Sequence, residues 1–281
     1  MDTPRHLTVP TPGIDLAVEV TGTGPTIVAL HGFPDTLRTW DGAIPRLVAA
    51  GWSVANVALR GYPPSDLARD GYSVAALAAD VVAVADALKA DRVAVLGHDW
   101  GATAGYAAAA LFPDRIAGLI ALAEVPPQVS PTGWRERLAR PHNLYLRQTR
   151  PAAAILRRGW TGGIAGYWRR WSPGWTPDPD HLARVEAALA APDRMEAAVA
   201  YYDQPEAPGA LDRRLVTPVL SVHGTREPPT RRAAYAIARP WLGPGSRVIG
   251  LDGVGHWPHL EAPDRVVDET IAFLRGIVTI R

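Results

Sequence analysis

The stretch VLGHDWGAT (residues 95–103) decides the fold of this 281-residue chain. An apolar run leads into G-H-D-W-G at residues 97–101, and an alanine-rich helical pattern follows directly. This order is typical of the nucleophile elbow G-x-S-x-G, a sharp turn that exposes its central side chain between a buried strand and a helix. Here that residue is Asp99, which predicts a carboxylate nucleophile at a helix N-terminus. An aspartate that only caps the helix is the alternative.

Strand-like and helix-like segments alternate around this elbow. Apolar or alternating patterns predict strands at 14–21, 26–30, 52–59, 92–97, 116–123, 217–224 and 246–253. Helices are predicted near 38–50, 73–89, 101–112, 230–239 and 264–277. Such alternation indicates an α/β fold, a mostly parallel sheet with helices on both faces.

The alternation stops after residue 126 and resumes near residue 212. Residues 127–211 show helical patterns, many arginines and five of the ten tryptophans: Trp134, Trp160, Trp168, Trp171 and Trp175. We therefore predict a core domain formed by 1–126 and 212–281, with 127–211 inserted as a helical cap. A second domain in series is the alternative, but the segment after residue 211 is short for an independent α/β domain.

Composition excludes several classes of function. A formal net charge of +1 gives no reason to expect nucleic acid or an anionic membrane as partner. The chain has no cysteine, so it forms no disulfide and uses no thiolate, which fits a cytoplasmic protein. The N-terminal residues lack the apolar h-region of a signal peptide, and no uncharged apolar run reaches membrane-spanning length, so neither a signal peptide nor a membrane span is expected. We expect a cytoplasmic protein with a small-molecule partner, and no pattern indicates its oligomeric state.

His256 is the predicted base. It follows the last predicted strand in GVGHWPHLEAP, and so comes last in the chain order nucleophile, acid, histidine. His259 lies three residues further on, and a metal pair is the alternative. Pro258 between them disrupts a shared helical face, and no acidic residue stands at metal spacing. We therefore predict no metal site.

The motif H-G-F-P-D (residues 31–35) ends an earlier predicted strand. Together with the elbow, R-G-Y at 60–62, F-P-D-R at 112–115 and G-H-W-P-H-L-E at 255–261, it resembles the epoxide hydrolases of the α/β-hydrolase fold. The resemblance covers nearly the whole chain outside the predicted cap. It implies the α/β-hydrolase fold and an oxyanion hole formed by the backbone amides of Phe33 and Trp100.

The same resemblance implies an acid that orients His256. The family usually carries G-x-x-D after the strand at 217–224, and this chain has G-T-R-E at 224–227. Glu227 would then take the role with a longer side chain. Glu124 is the alternative, because some haloalkane dehalogenases place their acid at the end of the strand before the cap. Spacing favours Glu227.

Two cap tyrosines hold and protonate the epoxide oxygen in the resembled family. Tyr202 fits the first of them, with Tyr201 as its immediate rival. Tyr145 is a weak match for the second, because the family's aromatic-Gln-x-Pro signature is broken around it. We predict that Tyr145, Tyr201 and Trp100 contact the substrate. A cap tryptophan as the second donor, or packing alone, remains open.

A carboxylate at the elbow selects the chemistry. It displaces a leaving group from a saturated carbon and forms an alkyl ester, whereas serine attacks a carbonyl. We therefore predict an epoxide hydrolase in which Asp99 opens the ring, a tyrosine protonates the oxygen, and water activated by His256 releases a vicinal diol. No cofactor or metal is needed. The tryptophans and arginines of 127–211 suit a bulky, aromatic, partly polar epoxide, or they only pack the cap.

Two other functions remain open. A haloalkane dehalogenase would share the nucleophile and use Trp100 as one halide donor. Phe33 stands where that family usually has asparagine, so the second donor is missing. The other is a non-catalytic protein that binds small molecules on a hydrolase scaffold. The presence of Asp99, His256 and a candidate acid argues against it, and a measurement of substrate turnover distinguishes an enzyme from a binding protein.

Overall fold

The computed structural model describes residues 3–68, 71–131, 133–159, 162–203 and 211–278. Trp160 and residues 204–210 of the predicted cap lie outside these ranges. Within the ranges, no helix is both long enough and apolar enough to cross a membrane.

One sheet organises the fold. Its strands are β1 (Arg5–Thr11), β2 (Ile14–Thr21), β3 (Thr26–Leu30), β4 (Ser53–Val57), β5 (Val93–His98), β6 (Ile116–Leu122), β7 (Val219–Gly224) and β8 (Arg247–Leu251). They lie in the order β1-β2-β4-β3-β5-β6-β7-β8. The pairs β1–β2 and β2–β4 are antiparallel, and the pairs from β4 through β8 are parallel. The predicted mostly parallel sheet is confirmed.

Strand β1 was not predicted from the sequence. It is an edge strand, and of its seven residues only Val9 is buried. Its apolar alternation is limited to Leu7 and Val9, and Pro10 inside the run argues against a strand anywhere but at the edge of a sheet.

The helices complete the layers. In chain order they are α1 (Ile44–Ala49), α2 (Val74–Ala87), α3 (Trp100–Leu111), α4 (Trp134–Ala139), α5 (His142–Leu146), α6 (Thr149–Arg157), α7 (Gly163–Trp171), α8 (Pro179–Ala188), α9 (Pro192–Ala200), α10 (Pro229–Ala236), α11 (Pro258–Glu261) and α12 (Pro263–Val278). Short 3-10 turns occur at Leu37–Trp40, Pro127–Val129, Tyr201–Asp203 and Arg239–Trp241.

Alternate residues of the central strand β3 pack on opposite sides of the sheet. Val28 and Leu30 join a buried apolar cluster with α2 and α3. Ile27 and Ala29 join a second cluster with α1 and α12. Burial of each large aliphatic side chain stabilises the fold by about 1.5–3 kcal/mol. Helices therefore cover both faces, as the sequence predicted.

The chain between β6 and β7 is helical from α4 to α9. Leu156, Trp168 and Val199 from these inserted helices belong to the same buried cluster as β5. The Trp168 indole also donates a hydrogen bond to the Pro34 carbonyl at 3.0 Å. The inserted helices thus pack over the loop that follows β3. A division into separate core and cap domains stays a prediction.

Candidate active site

Asp99 lies in the turn between β5 and α3, where the sequence places it. Its φ of +49° is in the left-handed region. This conformation is energetically unfavourable for any residue that has a side chain. Glycines on both sides make the turn possible. A Cβ on Gly97 would overlap the backbone of Gly101, and one on Gly101 would overlap the backbone of Leu30. Close backbone contact therefore holds the elbow in this conformation.

A backbone amide binds one oxygen of the Asp99 carboxylate. The Phe33 N–H donates a hydrogen bond to Oδ1 at 3.0 Å. Trp100 begins α3 immediately after Asp99, but across the described ranges its amide makes no hydrogen bond to the carboxylate. The structure thus brings one of the two predicted oxyanion-hole amides into contact with Asp99.

The second oxygen of Asp99 faces His256. Nε2 of His256 lies 3.4 Å from Asp99 Oδ2, and Nδ1 lies 2.9 Å from Glu227 Oε1. All three side chains are buried. The His256 backbone N–H donates to Ser172 Oγ at 2.8 Å, which fixes the loop after β8. The structure therefore places Asp99, His256 and Glu227 in one chain of contacts.

Their charges shift one another's pKa values. Burial alone would lower the pKa of His256, but the Glu227 and Asp99 carboxylates raise it to about 9. Burial likewise opposes ionisation of Glu227, yet His256 and Arg231 lower its pKa to about 2. Against the same burial effect, the hydrogen bond and charge of His256 hold the pKa of Asp99 well below its usual range. At neutral pH an imidazolium lies between two carboxylates.

The substitution Asp99→Asn is expected to lower the pKa of His256 below the value of about 9, because it removes one of the two flanking carboxylates. NMR titration of protein labelled in the histidine ring nitrogens measures this shift, with His256→Gln assigning the signal. Asp264→Asn, a change at an exposed side chain at the start of α12, is the matched control and should leave the titration unchanged. An unaltered His256 pKa in Asp99→Asn would contradict the geometry.

Glu124, the alternative acid, contacts an arginine. Its Oε2 accepts a hydrogen bond from Arg231 Nη2 at 3.0 Å, and its Oε1 accepts from the Val125 amide. Arg231 is fully buried on α10, and its Nε lies 3.5 Å from Glu227 Oε2. Glu227 thus contacts His256 directly, whereas Glu124 lies on the other side of the Arg231 guanidinium group. Sequence reasoning missed Arg231, because Glu227 precedes α10 and the two residues are not a pair on one helix.

The adjacent tyrosines Tyr201 and Tyr202 have different surroundings. The Tyr201 hydroxyl donates to the Arg60 carbonyl at 2.7 Å, so its polar end is bound within the core. The Tyr202 ring packs edge-on against Phe33 and Trp100, with centroid distances of 5.5 and 5.2 Å. Burial raises the pKa of Tyr202 well above 10, so its hydroxyl keeps the proton.

The hydroxyl of Tyr202 lies beside the Trp100 indole but makes no hydrogen bond of normal geometry within the residues described. No described protein group therefore accepts its proton. Tyr145 is half-buried on α5, which packs beside the turn that carries Tyr202. The structure thus gathers Tyr202 with Phe33 and Trp100, and places Tyr145 on the neighbouring helix.

The other histidines near His256 have structural contacts. His98 donates through Nε2 to the His256 carbonyl at 2.8 Å, and burial lowers its pKa to about 4. His259 Nε2 lies 2.6 Å from Thr39 Oγ1, and its ring packs on Trp40. Over the described ranges, no three histidine or acidic side chains are grouped as metal ligands.

Comparison with known proteins identifies the family of the chain. A family profile described as alpha/beta hydrolase fold matches residues 25–263. The chain belongs to this α/β-hydrolase family. Epoxide hydrolase A of Mycobacterium tuberculosis is 29% identical, covering 99% of this chain and 99% of that protein. An epoxide hydrolase of Caballeronia sordidicola is 27% identical, covering 97% of this chain and 94% of the relative.

Solved structures show the same likeness. The structure of a candidate epoxide hydrolase from Pseudomonas aeruginosa superimposes on this hydrolase-family chain with a TM-score of 0.85. The identity is 29%, over 98% of this chain and 97% of that one. The predicted fold class and the predicted resemblance to epoxide hydrolases are both confirmed.

The site of this α/β hydrolase also borders a cavity of about 480 Å³. His256 and Glu227 form one wall, and Trp171 and His142 from the inserted helices form another. The Trp171 ring packs edge-on against the His256 ring, with centroids 5.0 Å apart. The arginines and tryptophans of the insertion suggested a broad pocket for a partly polar substrate, but the sequence did not indicate where such a pocket lies or which residues line it.

Proposed function

We propose that the protein hydrolyses an epoxide to a vicinal diol through an ester on Asp99. The observation that carries the proposal is the position of the Asp99 carboxylate. Phe33 N–H binds one of its oxygens, and the other points at His256. A carboxylate so placed is suited to attack a saturated carbon. The names of the relatives from Mycobacterium tuberculosis and Caballeronia sordidicola support an epoxide as the substrate.

In the first step, Asp99 Oδ2 attacks one ring carbon from the side opposite the epoxide oxygen. The carbon–oxygen bond breaks, and its electron pair goes to the oxygen, which takes the proton of the Tyr202 hydroxyl. The products are an alkyl ester on Asp99 and a Tyr202 phenolate. Tyr145, on the helix beside Tyr202, is the proposed second donor to the oxygen.

Formation of the ester prepares the second step, because it removes the negative charge of Asp99. Asp99 is one of the groups that hold the pKa of His256 at about 9. Without that charge the imidazolium gives up its proton, which restores the Tyr202 hydroxyl. Neutral His256, oriented through Nδ1 by Glu227, then has Nε2 free to accept a proton from water.

In the second step, that water attacks the carbonyl carbon of the Asp99 ester. Oδ1 carries the negative charge of the tetrahedral intermediate, and Phe33 N–H already points at it. Removal of one such donor costs roughly 10²–10³ in kcat in a serine protease. We assign the second donor to the Trp100 amide. Collapse breaks the bond between the Asp99 carbonyl carbon and the substrate oxygen, and the His256 imidazolium protonates that oxygen, which releases the diol. The Asp99 acid then ionises and returns a proton to neutral His256.

We further propose that the inserted helices act as the cap of a core formed by 1–126 and 212–281. They supply Tyr202 and Trp171 at the site, whereas Trp168 stacks on Trp257 at 4.5 Å. Some cap aromatics therefore pack the fold, and others line space next to His256. A bulky aromatic epoxide remains the proposed substrate class.

A single turnover in ¹⁸O-labelled water, with enzyme in excess over epoxide, tests this mechanism. Because the oxygen added to the substrate comes from Asp99, the first diol is expected to be mostly unlabelled, and the label should appear on the peptide that contains Asp99. Mass spectrometry measures both. Label in the first-turnover diol would mean that water opens the ring directly.

A panel of haloalkanes and esters serves as the comparison for substrate class. Phe33 is buried and offers no polar side chain for a halide, so haloalkanes should react more slowly than epoxides. Faster release of halide than of diol would favour a dehalogenase. No turnover of any member of the panel would favour a binding protein.

A further inference from the structure

The cavity beside His256 is lined by positive charge that the proposed reaction does not use. Four arginines contribute to its wall: Arg140, Arg170, Arg226 and Arg232. They come from separate elements, since two lie within the inserted segment and two lie after β7. The acidic residue in the wall, Glu227, already binds His256 and Arg231. The cavity is therefore strongly cationic.

These arginines have little compensation from carboxylates. In the portion of the chain that the structure describes, Arg170, Arg226 and Arg232 form no ion pair. Arg170 lies over the Tyr167 ring at 5.7 Å, and Arg226 donates to the Pro173 carbonyl at 2.7 Å. Arg140 has Glu136 only at 3.8 Å, which is beyond hydrogen-bond distance.

His142 supplies a second, independent observation. It is 3% exposed and lines the cavity, and neither ring nitrogen has a hydrogen-bond partner among the residues described. Its ring packs against Trp171 and Tyr167, at centroid distances of 4.7 and 5.9 Å. Burial and the charge of Arg140 lower its pKa to about 2, so the ring is neutral. A buried N–H without a partner is costly unless a ligand accepts its hydrogen bond.

We propose that the cavity is a subsite for a carboxylate carried by the epoxide substrate. This inference rests on the proposed function and narrows it to epoxides of carboxylic acids. Guanidinium groups bind carboxylates through paired hydrogen bonds, and the His142 N–H adds a donor from the buried side. His256 lines the cavity and also contacts Asp99, so a carboxylate bound in the cavity lies next to the catalytic residues. We call this cavity the arginine subsite.

The test compares two epoxides of the same shape, para-carboxystyrene oxide and para-carbamoylstyrene oxide. The first carries an anionic carboxylate one aromatic ring away from the epoxide, and the second carries a neutral amide there. We expect kcat/KM to favour the acid by roughly tenfold to a hundredfold, chiefly through KM, because hydrogen bonds to charged groups are the stronger ones.

Variants of neighbouring arginines on α7 locate the effect. Arg170→Gln should reduce the preference for the acid over the amide by about tenfold, because it removes one charged donor. Arg169 is also exposed and precedes Arg170 on α7 but does not line the cavity, so Arg169→Gln should keep the preference. His142→Phe should also reduce it. Thermal unfolding checks that each variant is folded.

Calorimetry with para-ethylbenzoate and para-ethylbenzamide separates the subsite from the reaction, because neither ligand contains an epoxide. Tighter binding of the benzoate, weakened in Arg170→Gln, is the expected result. Equal binding of both ligands, with equal hydrolysis of both epoxides, would overturn the subsite and leave the proposed function intact. Selective benzoate binding without hydrolysis of any epoxide would overturn the proposed function and leave an anion site.

Discussion

The substitution His256→Gln is expected to stop multiple turnover while the ester on Asp99 still forms. The first step needs the Asp99 carboxylate and the Tyr202 proton, and neither depends on a base. The second step needs a proton acceptor next to Asp99, and Nε2 of His256 lies 3.4 Å from its Oδ2. Glutamine cannot accept that proton. Loss of the histidine in a serine triad costs about 10⁶ in kcat, which sets the scale.

The variant should therefore accumulate one substrate mass on the peptide that contains Asp99, as seen by mass spectrometry. Two variants serve as controls. His259→Gln removes a histidine that contacts Thr39, and it should turn over without an adduct. Asp99→Asn should neither form an adduct nor release diol. Unmodified His256→Gln protein that still releases diol at the wild-type rate would refute the two-step scheme.

The elbow could be predicted because its determinants are local. The apolar strand, the two glycines and the helix that follows lie within nineteen consecutive residues, from Val93 to Leu111. The sharp turn requires both glycines, because the close backbone approach at Gly97 and Gly101 excludes side chains there. The position of His256 after the last parallel strand follows from the same strand order.

The choice of acid could not be settled from the sequence, because it depends on which strands are neighbours. β6 and β7 are adjacent in the sheet, so Glu124 and Glu227 both follow strands that end near the elbow. What separates them is Arg231, which projects from α10 between the two carboxylates. No local sequence pattern predicts the position of the Arg231 guanidinium group.

The residues around the cavity and the two adjacent tyrosines also could not be positioned from the sequence alone. Arg140 and Arg170 lie far from Arg226 along the chain and meet only when the inserted helices pack on the sheet. Tyr201 and Tyr202 are adjacent in sequence, so only the turn at Tyr201–Asp203 decides which hydroxyl is bound by Arg60. Sequence patterns predict which residue types form a site, whereas the packing of the fold determines where their side chains point.

The substitution Glu227→Gln is expected to lower kcat by about 10⁴, the cost of losing the matching carboxylate in a serine triad. Glu227 Oε1 accepts from Nδ1 of His256 at 2.9 Å, which leaves Nε2 as the acceptor for water. An amide at this place no longer selects that tautomer or stabilises the imidazolium. The pKa of His256 should fall as well, because Glu227 is the main group that raises it.

Glu124→Gln is the matched control, because it makes the same chemical change on the other side of Arg231. Arg231 keeps Glu227 at 3.5 Å, and His256 keeps its carboxylate, so the loss in kcat should be modest. Rapid-quench kinetics with each variant measures formation and hydrolysis of the Asp99 ester separately, and only hydrolysis in Glu227→Gln should slow severely. If Glu124→Gln were instead the crippled variant, the charge of Arg231 rather than the orientation of His256 would limit the reaction, and the acid would have to be reassigned.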